Sequence, residues 1–529
     1  MYQCKNCGGN LKYDIATQSM HCDYCDSSFN PYDVTKETDA MEDNYYEATV
    51  FRCPQCGAEL ISSDTDATSF CSYCGAANVL TGRISREKRP ARIIPFQITK
   101  EQCKEIYAKK MKQAFFAPKE LTDPAYIDSF RGIYMPYWSY NFEQNGHLDL
   151  EGQKSYRRGD YVYTDYYALE GDVNASYEGY TFDASSSFFD NVSENLLPFH
   201  ANDEKEFTPS YLSGFYADTA DIPKEVYEAD AKEHACSVTK GKIIAHSDFS
   251  TYGIRAGVER MDMENKFPIQ CTGAQQLLYP VWFLSYRKND RIAYAAINGQ
   301  TGKLFMDTPI DFKKYGITTA VLALILFIFL NINFTFKPTT LLFASAVFAV
   351  ISALVYLKEI DDIHRRNENL DDKGLQSKNT SETDDTTGSK KKRKNVTFKK
   401  PNPVIIIVAG LLLMTCFPLV IGLAIAVVMV AILPLMFAGI IYLCIKGIKM
   451  NREISETSGP LGFWSAMASV FLCMIIAFIN PVDDLYYYLG AIASMIGVLV
   501  TLTSIIKNYN VLATRKLPQF NKQGGDDLA

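Results

Sequence analysis

CKNCGG (4–9), CDYCDS (22–27), CPQCGA (53–58) and CSYCGA (71–76) decide how this 529-residue chain begins to fold. They place eight of its fourteen cysteines in four Cys-x-x-Cys pairs. Cys4, Cys7, Cys22 and Cys25 form one set, and Cys53, Cys56, Cys71 and Cys74 the other. In each set fourteen residues separate the inner cysteines, and the second set repeats the first at an offset of 49. That regularity reads as a duplicated four-cysteine metal site. Each set closes within 22 residues, too few to bury a useful core. Four thiolates around one tetrahedral zinc can hold such a segment together, with a binding term of roughly 10–16 kcal/mol at neutral pH.

The residue after each Cys-x-x-Cys turn should need a positive φ, which glycine gives freely and aspartate tolerates. Gly8, Gly57 and Gly75 fit, and Asp26 is the departure. The stretches between the pairs look like short hairpins. The expected start is therefore a zinc ribbon at 1–30, an acidic linker at 31–48 and a second ribbon at 49–82, with two structural Zn2+ sites. Disulfides are the competing reading. No signal peptide is expected before Cys4, and Cys-x-x-Cys pairs in a reducing compartment favour metal. His21 neighbours Cys22, but the four ligand positions are already filled, so it reads as a bystander.

The second half changes character. Residues 317–336 and 339–357 are uncharged apolar runs, each about one bilayer long. An apolar run at 404–445 is long enough for two spans, and 461–480 and 485–506 complete the set, giving six expected transmembrane helices. Loop 358–402 carries twelve Lys or Arg, including KKKRK at 390–394, whereas the alternate connections carry almost none. Under the positive-inside rule the basic loops are cytoplasmic, which places both termini in the cytosol of a multi-pass protein of the cell membrane. The 358–402 loop is rich in Asp, Ser, Thr and Lys with almost no aromatics, and is expected to be disordered. Residues 507–529 read as a cytoplasmic tail.

Between ribbons and spans, residues 83–310 read as a soluble α+β domain with an antiparallel sheet. A helix is expected from about 100 to 116, with Thr99 and Gln102 as its capping box and Cys103 in its core face. GIYMPYWSYNF (132–142), DYVYTDYYALEG (160–171) and NASYEGYTF (174–182) alternate as strands. A second helix near 223–236 and the run LLYPVWFLSYRK (277–288) echo this order, with Pro136 and Trp138 matched by Pro280 and Trp282. The reading is two related halves, with tryptophans in the core and prolines marking an edge or a bulge. NGQTGK (298–303) is a hairpin turn rather than a P-loop, because Ile297 stands where the first glycine belongs and Leu304 follows the lysine.

CKNCGGNLKYD, CPQCGAEL, CSYCGAANVL, KRPARIIPF, FFAPKEL, RGIYMPYWSY and LLYPVWFLSYR together resemble the bacterial membrane-anchored double zinc-ribbon proteins, also described as TFIIB-type zinc-ribbon or primosomal protein N′-like. The resemblance covers about 1–310. It implies a membrane partner or recruiter in an envelope-stress system with phage-shock protein A (PspA)-like and SPFH/flotillin-like proteins. Helicase chemistry is not expected, because no Walker A lysine is present.

Three function classes compete. One is a membrane-bound scaffold, sensor or recruiter that presents a cytoplasmic zinc-ribbon platform to protein partners. The second is a nucleic-acid-binding regulator. Residues 1–82 carry a net charge of −8, which opposes phosphate binding, while residues 83–119 carry +8 and keep the reading open. The third is a transporter or channel. Its spans would carry ionisable residues, and the apolar runs contain none. Neither HExxH nor GxSxG occurs, and closed four-cysteine sites leave no position for substrate, so an enzyme is not expected.

Overall fold

The computed structural model describes residues 2–34, 45–62, 71–76, 81–262, 265, 267–333, 337–367, 372–377, 441, 444–445, 447–448 and 460–520. Two units separate. The first holds the chain up to Thr318 together with segments around 372–377 and 513–520, and the second holds the apolar helices from Thr319 on.

In the first unit, β1 (Tyr2–Gln3), β2 (Asn10–Asp14), β3 (Ser19–Cys22) and β4 (Ser28–Phe29) make an antiparallel sheet of their own in the order β1-β2-β3-β4. This sheet spans Tyr2 to Phe29, within the stretch expected for the first ribbon. The second four-cysteine segment does not stand alone. Its strands β5 (Tyr45–Arg52), β6 (Glu59–Ser62) and β7 (Thr81–Lys88) form one flank of a large mixed sheet. All four residues of β6 are buried, so the strand needs cover on both faces and obtains it inside the larger domain. β5 also begins at Tyr45, inside the stretch expected as linker.

The large sheet continues with β8 (Arg92–Ile93), α1 (Lys100–Gln113), the long hairpin β9 (Arg131–Arg158) and β10 (Tyr161–Asp183), and α2 (Asp190–Leu196). Then follow β11 (Lys205–Glu206), β12 (Tyr216–Asp218), α3 (Glu225–Ala245), β13 (Ile269–Lys288), β14 (Arg291–Asn298) and β15 (Leu304–Met306). Strands run β11-β8-β13-β9-β12-β6-β5-β7, with β10 on β9 and β14 on β13. α1 forms where its sequence says it should. The Thr99 hydroxyl accepts from the Gln102 amide, and the Gln102 side chain accepts from the Thr99 amide, a pairing that contributes about 0.5–2 kcal/mol. Its core face is Cys103, Tyr107 and Met111.

β9 and β13 are antiparallel neighbours at the centre of the sheet, with Pro280 opposite Tyr134 and Leu278 opposite Pro136. The prolines therefore do not mark an edge. On its other side β9 pairs with β12 at Ile133 and Tyr134 and with β10 from Tyr137 on, so Pro136 falls between two partners. β13 likewise pairs with β8 at Leu277 and Leu278 and with β14 from Val281 on, so Pro280 falls between two partners as well. A residue without an N–H is tolerated where the ladder changes hands. Trp138 and Trp282 are both buried, as core residues.

The second unit contains α4 (Phe312–Asn333, continuous with the first unit), α5 (Pro338–Asn367), α6 (Leu461–Ile479) and α7 (Asp484–Leu512). Among the described residues these four helices are long and apolar enough to cross a membrane. α5, α6 and α7 pack through small residues. Thr501 Oγ1 donates to the Gly462 carbonyl at 2.8 Å and Ser469 Oγ to the Ser494 carbonyl at 3.1 Å, the close backbone approach that apolar helices use when lipid supplies no hydrophobic drive. The two spans expected at 404–445 lie almost wholly outside the described residues. The loop expected from 358 starts later, because α5 runs to Asn367 and residues 373–377 form a further helical turn.

Candidate metal centre

Each cysteine pair sits on a turn whose backbone is closed by two hydrogen bonds. In the first pair the Gly8 amide donates to the Cys4 carbonyl at 2.8 Å and the Cys4 amide to the Gly9 carbonyl at 2.7 Å. The same two bonds recur at Cys22, Cys53 and Cys71. The residue after each second cysteine takes the left-handed conformation, with φ of 76° at Gly8, 59° at Asp26, 73° at Gly57 and 67° at Gly75. These are the four positions where the sequence required it. The turns point both sulfurs of a pair the same way, and in the first group the β2–β3 hairpin brings the second pair opposite the first.

The result is two closed groups, Cys4–Cys7–Cys22–Cys25 and Cys53–Cys56–Cys71–Cys74, each with all sulfurs within 4.8 Å of one another. In the first group Cys4 Sγ lies 3.5 Å from Cys25 Sγ, and Cys7 Sγ 3.5 Å from Cys22 Sγ. In the second, Cys53 to Cys74 and Cys56 to Cys71 are both 3.7 Å. Four sulfurs around one zinc at ~2.3 Å would stand about 3.8 Å apart. The donor set and its spacing thus fit one ion in each group, and all eight thiols are free of disulfides. His21 stays outside the set, between Asp26 (3.4 Å) and Ser28 (3.4 Å).

The thiols of each group are perturbed in opposite directions. The Ser27 hydroxyl, 3.2 Å from Cys25 Sγ, is the main reason that thiol is drawn down to about 6. In the second group hydrogen bonding among the sulfurs drives Cys53 far below the ordinary thiol range, Cys56 acting most strongly on it, and drives Cys56 far above. The crowded sulfurs hold their protons unequally, and a bound divalent cation would take the place of those protons. All four positions around each ion would be sulfur, the arrangement of a structural site.

The two groups differ in their surroundings. In the first, Cys7 is exposed and Cys25 partly exposed. Tyr24 beside it is 86% exposed, between Asp23 and Asp26. In the second, all four cysteines are buried. Tyr73 lies fully buried within it, its ring 5.6 Å from Phe283 and 5.8 Å from Phe520, and its carbonyl accepts from Tyr294 Oη at 2.9 Å.

Sequence reasoning missed two features. The stretch after α7 does not hang free as a tail: β16 (Arg515–Lys516) adds to β14, and the Phe520 amide donates to the Cys56 carbonyl at 2.6 Å. A buried carboxyl cluster was also missed. Ser193 Oγ donates to Asp183 at 2.7 Å and Tyr227 Oη to Asp190 at 2.6 Å, while the Lys373 amide donates to Asp190 at 2.9 Å and the Asp190 amide to Asp372 at 3.4 Å. Burial pushes Asp183 well above the carboxylate range and Asp372 up to about 7. Nothing in the periodicity of 183–190 or 372–377 signals that these segments meet.

Fold and site define a protein with two Cys4 groups each placed to hold a metal ion, a sheet-rich domain, and apolar helices fit to cross a membrane. Over 318 residues it is 30% identical to the uncharacterized Bacillus subtilis protein YdjG, a match that spans 59% of this chain and 91% of the relative. The chain belongs to the YdjG family. No family model and no solved structure matches it.

Proposed function

We propose that this protein is a multi-pass membrane protein whose cytoplasmic unit is a zinc-bearing docking platform for other proteins. The observation that carries this reading is the closure of both Cys4 groups. Each offers four sulfurs to one ion and leaves no coordination position for a substrate, so the metal organises surface rather than reacts. The metal is zinc, in keeping with an all-thiolate tetrahedral set. Six spans anchor the platform, with the basic 358–402 loop and both termini in the cytosol. The central domain is a duplicated half, a view supported by the paired prolines and tryptophans of β9 and β13. The platform does not itself catalyse a reaction.

Tethering to the bilayer raises the effective concentration of the platform for other membrane-surface proteins. The acidic, tyrosine-tipped knuckle at Asp23, Tyr24 and Asp26 suits a partner with a basic face. The resemblance to membrane-anchored double zinc-ribbon proteins suggests envelope-stress proteins of the PspA-like or SPFH/flotillin-like kind as those partners. Crosslinking of the full chain in native membranes, followed by identification of what is captured, tests the reading. Membrane-surface proteins lost on Tyr24→Ala are expected. Recovery of RNA polymerase or DNA, or solute movement by the chain in proteoliposomes, would overturn it.

A further inference from the structure

We propose that the two Cys4 groups hold their ions unequally: the first exchanges its ion with solvent, and the second is locked by the chain's own segment 513–520. This inference rests on the metal reading above and adds a division of labour that the duplicated sequence does not suggest. The two ligand sets are the same in kind, number and spacing, so any difference must come from what surrounds the sulfurs.

Removal of a thiolate-bound ion begins when a competing ligand or a proton reaches a sulfur. In a closed site that requires either an exposed sulfur or a local opening of the fold. The first group meets the first condition, since Cys7 is exposed and Cys25 partly so. It also sits in a sheet of its own, whose outer strands β1 and β4 are two residues long. Its ladder shares no strand with the large sheet.

The second group meets neither condition. Cys53, Cys56, Cys71 and Cys74 are each at most 3% exposed, and β5 and β6 are built into the large sheet. Phe520 covers the Cys53–Cys56 turn. Its amide bonds the Cys56 carbonyl, its ring packs on Tyr73, and its carbonyl lies so close to Gly57 that a Cβ there would stand 2.1 Å from it. The turn accepts this cover only because residue 57 has no side chain. The segment is anchored upstream of the metal group. The Arg515 guanidinium stacks 3.6 Å from the Phe189 ring centroid and donates to Asn191 Oδ1 at 2.6 Å, and Arg291 Nε donates to Thr514 Oγ1 at 2.7 Å. A chain leaving α7 at Leu512 thus becomes the lid of the second ion eight residues later.

Mixing the full-length zinc-loaded protein in detergent with excess pyridylazo-resorcinol, and following chelate absorbance, tests this. Two phases of one ion each are expected, the slower at least about tenfold behind the faster, because it waits on a local opening. Cys7→Ser should abolish the fast phase. Phe520→Ala should accelerate the slow phase severalfold and leave the fast one unchanged. Arg515→Ala, which loosens the segment without touching the metal group, should do the same, and far-UV circular dichroism checks that each variant is folded. Two ions leaving in one phase, or a slow phase indifferent to both tail variants, would overturn the inference and leave the metal reading intact. A folded protein with no ion to release would overturn the metal reading and this inference together.

Discussion

Trp138 and Trp282 stand in adjacent central strands, and each indole Nε1 donates at 2.8 Å to a carbonyl just ahead of a helix. Trp138, on β9 after α1, reaches Ile222 just before α3. Trp282, on β13 after α3, reaches Ile98 just before α1. The two bonds tie the entry of α3 to β9 and the entry of α1 to β13. Replacing either tryptophan by phenylalanine leaves a carbonyl without its donor and trims the buried ring, at a cost of about 1–3 kcal/mol. Equal losses in the midpoint of denaturant unfolding are expected for Trp138→Phe and Trp282→Phe. A large loss in one and none in the other would show that only one helix depends on its tryptophan.

Tyr24 is an exposed aromatic between two exposed acids on a Cys-x-x-Cys turn. Such a residue contributes little to folding and can contribute much to binding. Tyr24→Ala should leave metal content and thermal stability unchanged, while partner capture in membranes falls by about tenfold. Unchanged capture would place the docking surface elsewhere on the platform.

Asp372 gives the first unit a pH dependence of predictable sign. Its docked value near 7 lies above that of an exposed aspartate at about 3.9, so the docked state binds the extra proton. Its contribution to holding segment 372–377 is complete below the undocked value and is lost as pH rises from there through about 7. Hydrogen-exchange protection of 373–377, taken relative to the intrinsic exchange rate at each pH, should accordingly be higher at pH 5.5 than at pH 8. Asp372→Asn, which cannot ionise, should remove most of that difference.

Orientation follows from charge. A cysteine introduced at Ser389, within the basic loop between the second and third expected spans, should resist impermeant maleimide in intact cells and react after permeabilisation. Labelling in intact cells would invert the topology.

The cysteine spacing, the four left-handed positions and the capping box of α1 were all legible because each is a local constraint written within a few residues. The same holds for the apolar runs at 317–336, 339–357, 461–480 and 485–506, whose length and composition suffice. What the sequence concealed is non-local. β6 reads as the hairpin of a small ribbon until β12 is seen beside it, and Pro136 reads as an edge signal until both of its strand partners are known. Phe520 lies far along the chain from Cys56, in a stretch with no periodicity, and its role rests on one backbone bond and one glycine. The carboxyl cluster joins residues from 183–193 and 372–374, whose partnership no local pattern encodes.

The proposed docking platform and the proposed inequality of its two sites both require eight thiolates holding two zinc ions. Metal analysis of the full-length protein, purified from membranes without chelator, tests this most directly. About two zinc per chain are expected, as one ion per four-thiolate set requires, with the buried Cys53, Cys56, Cys71 and Cys74 unreactive toward thiol reagents until the metal is removed. A folded chain without metal, or one in which the Cys-x-x-Cys pairs are recovered as disulfides, would contradict it.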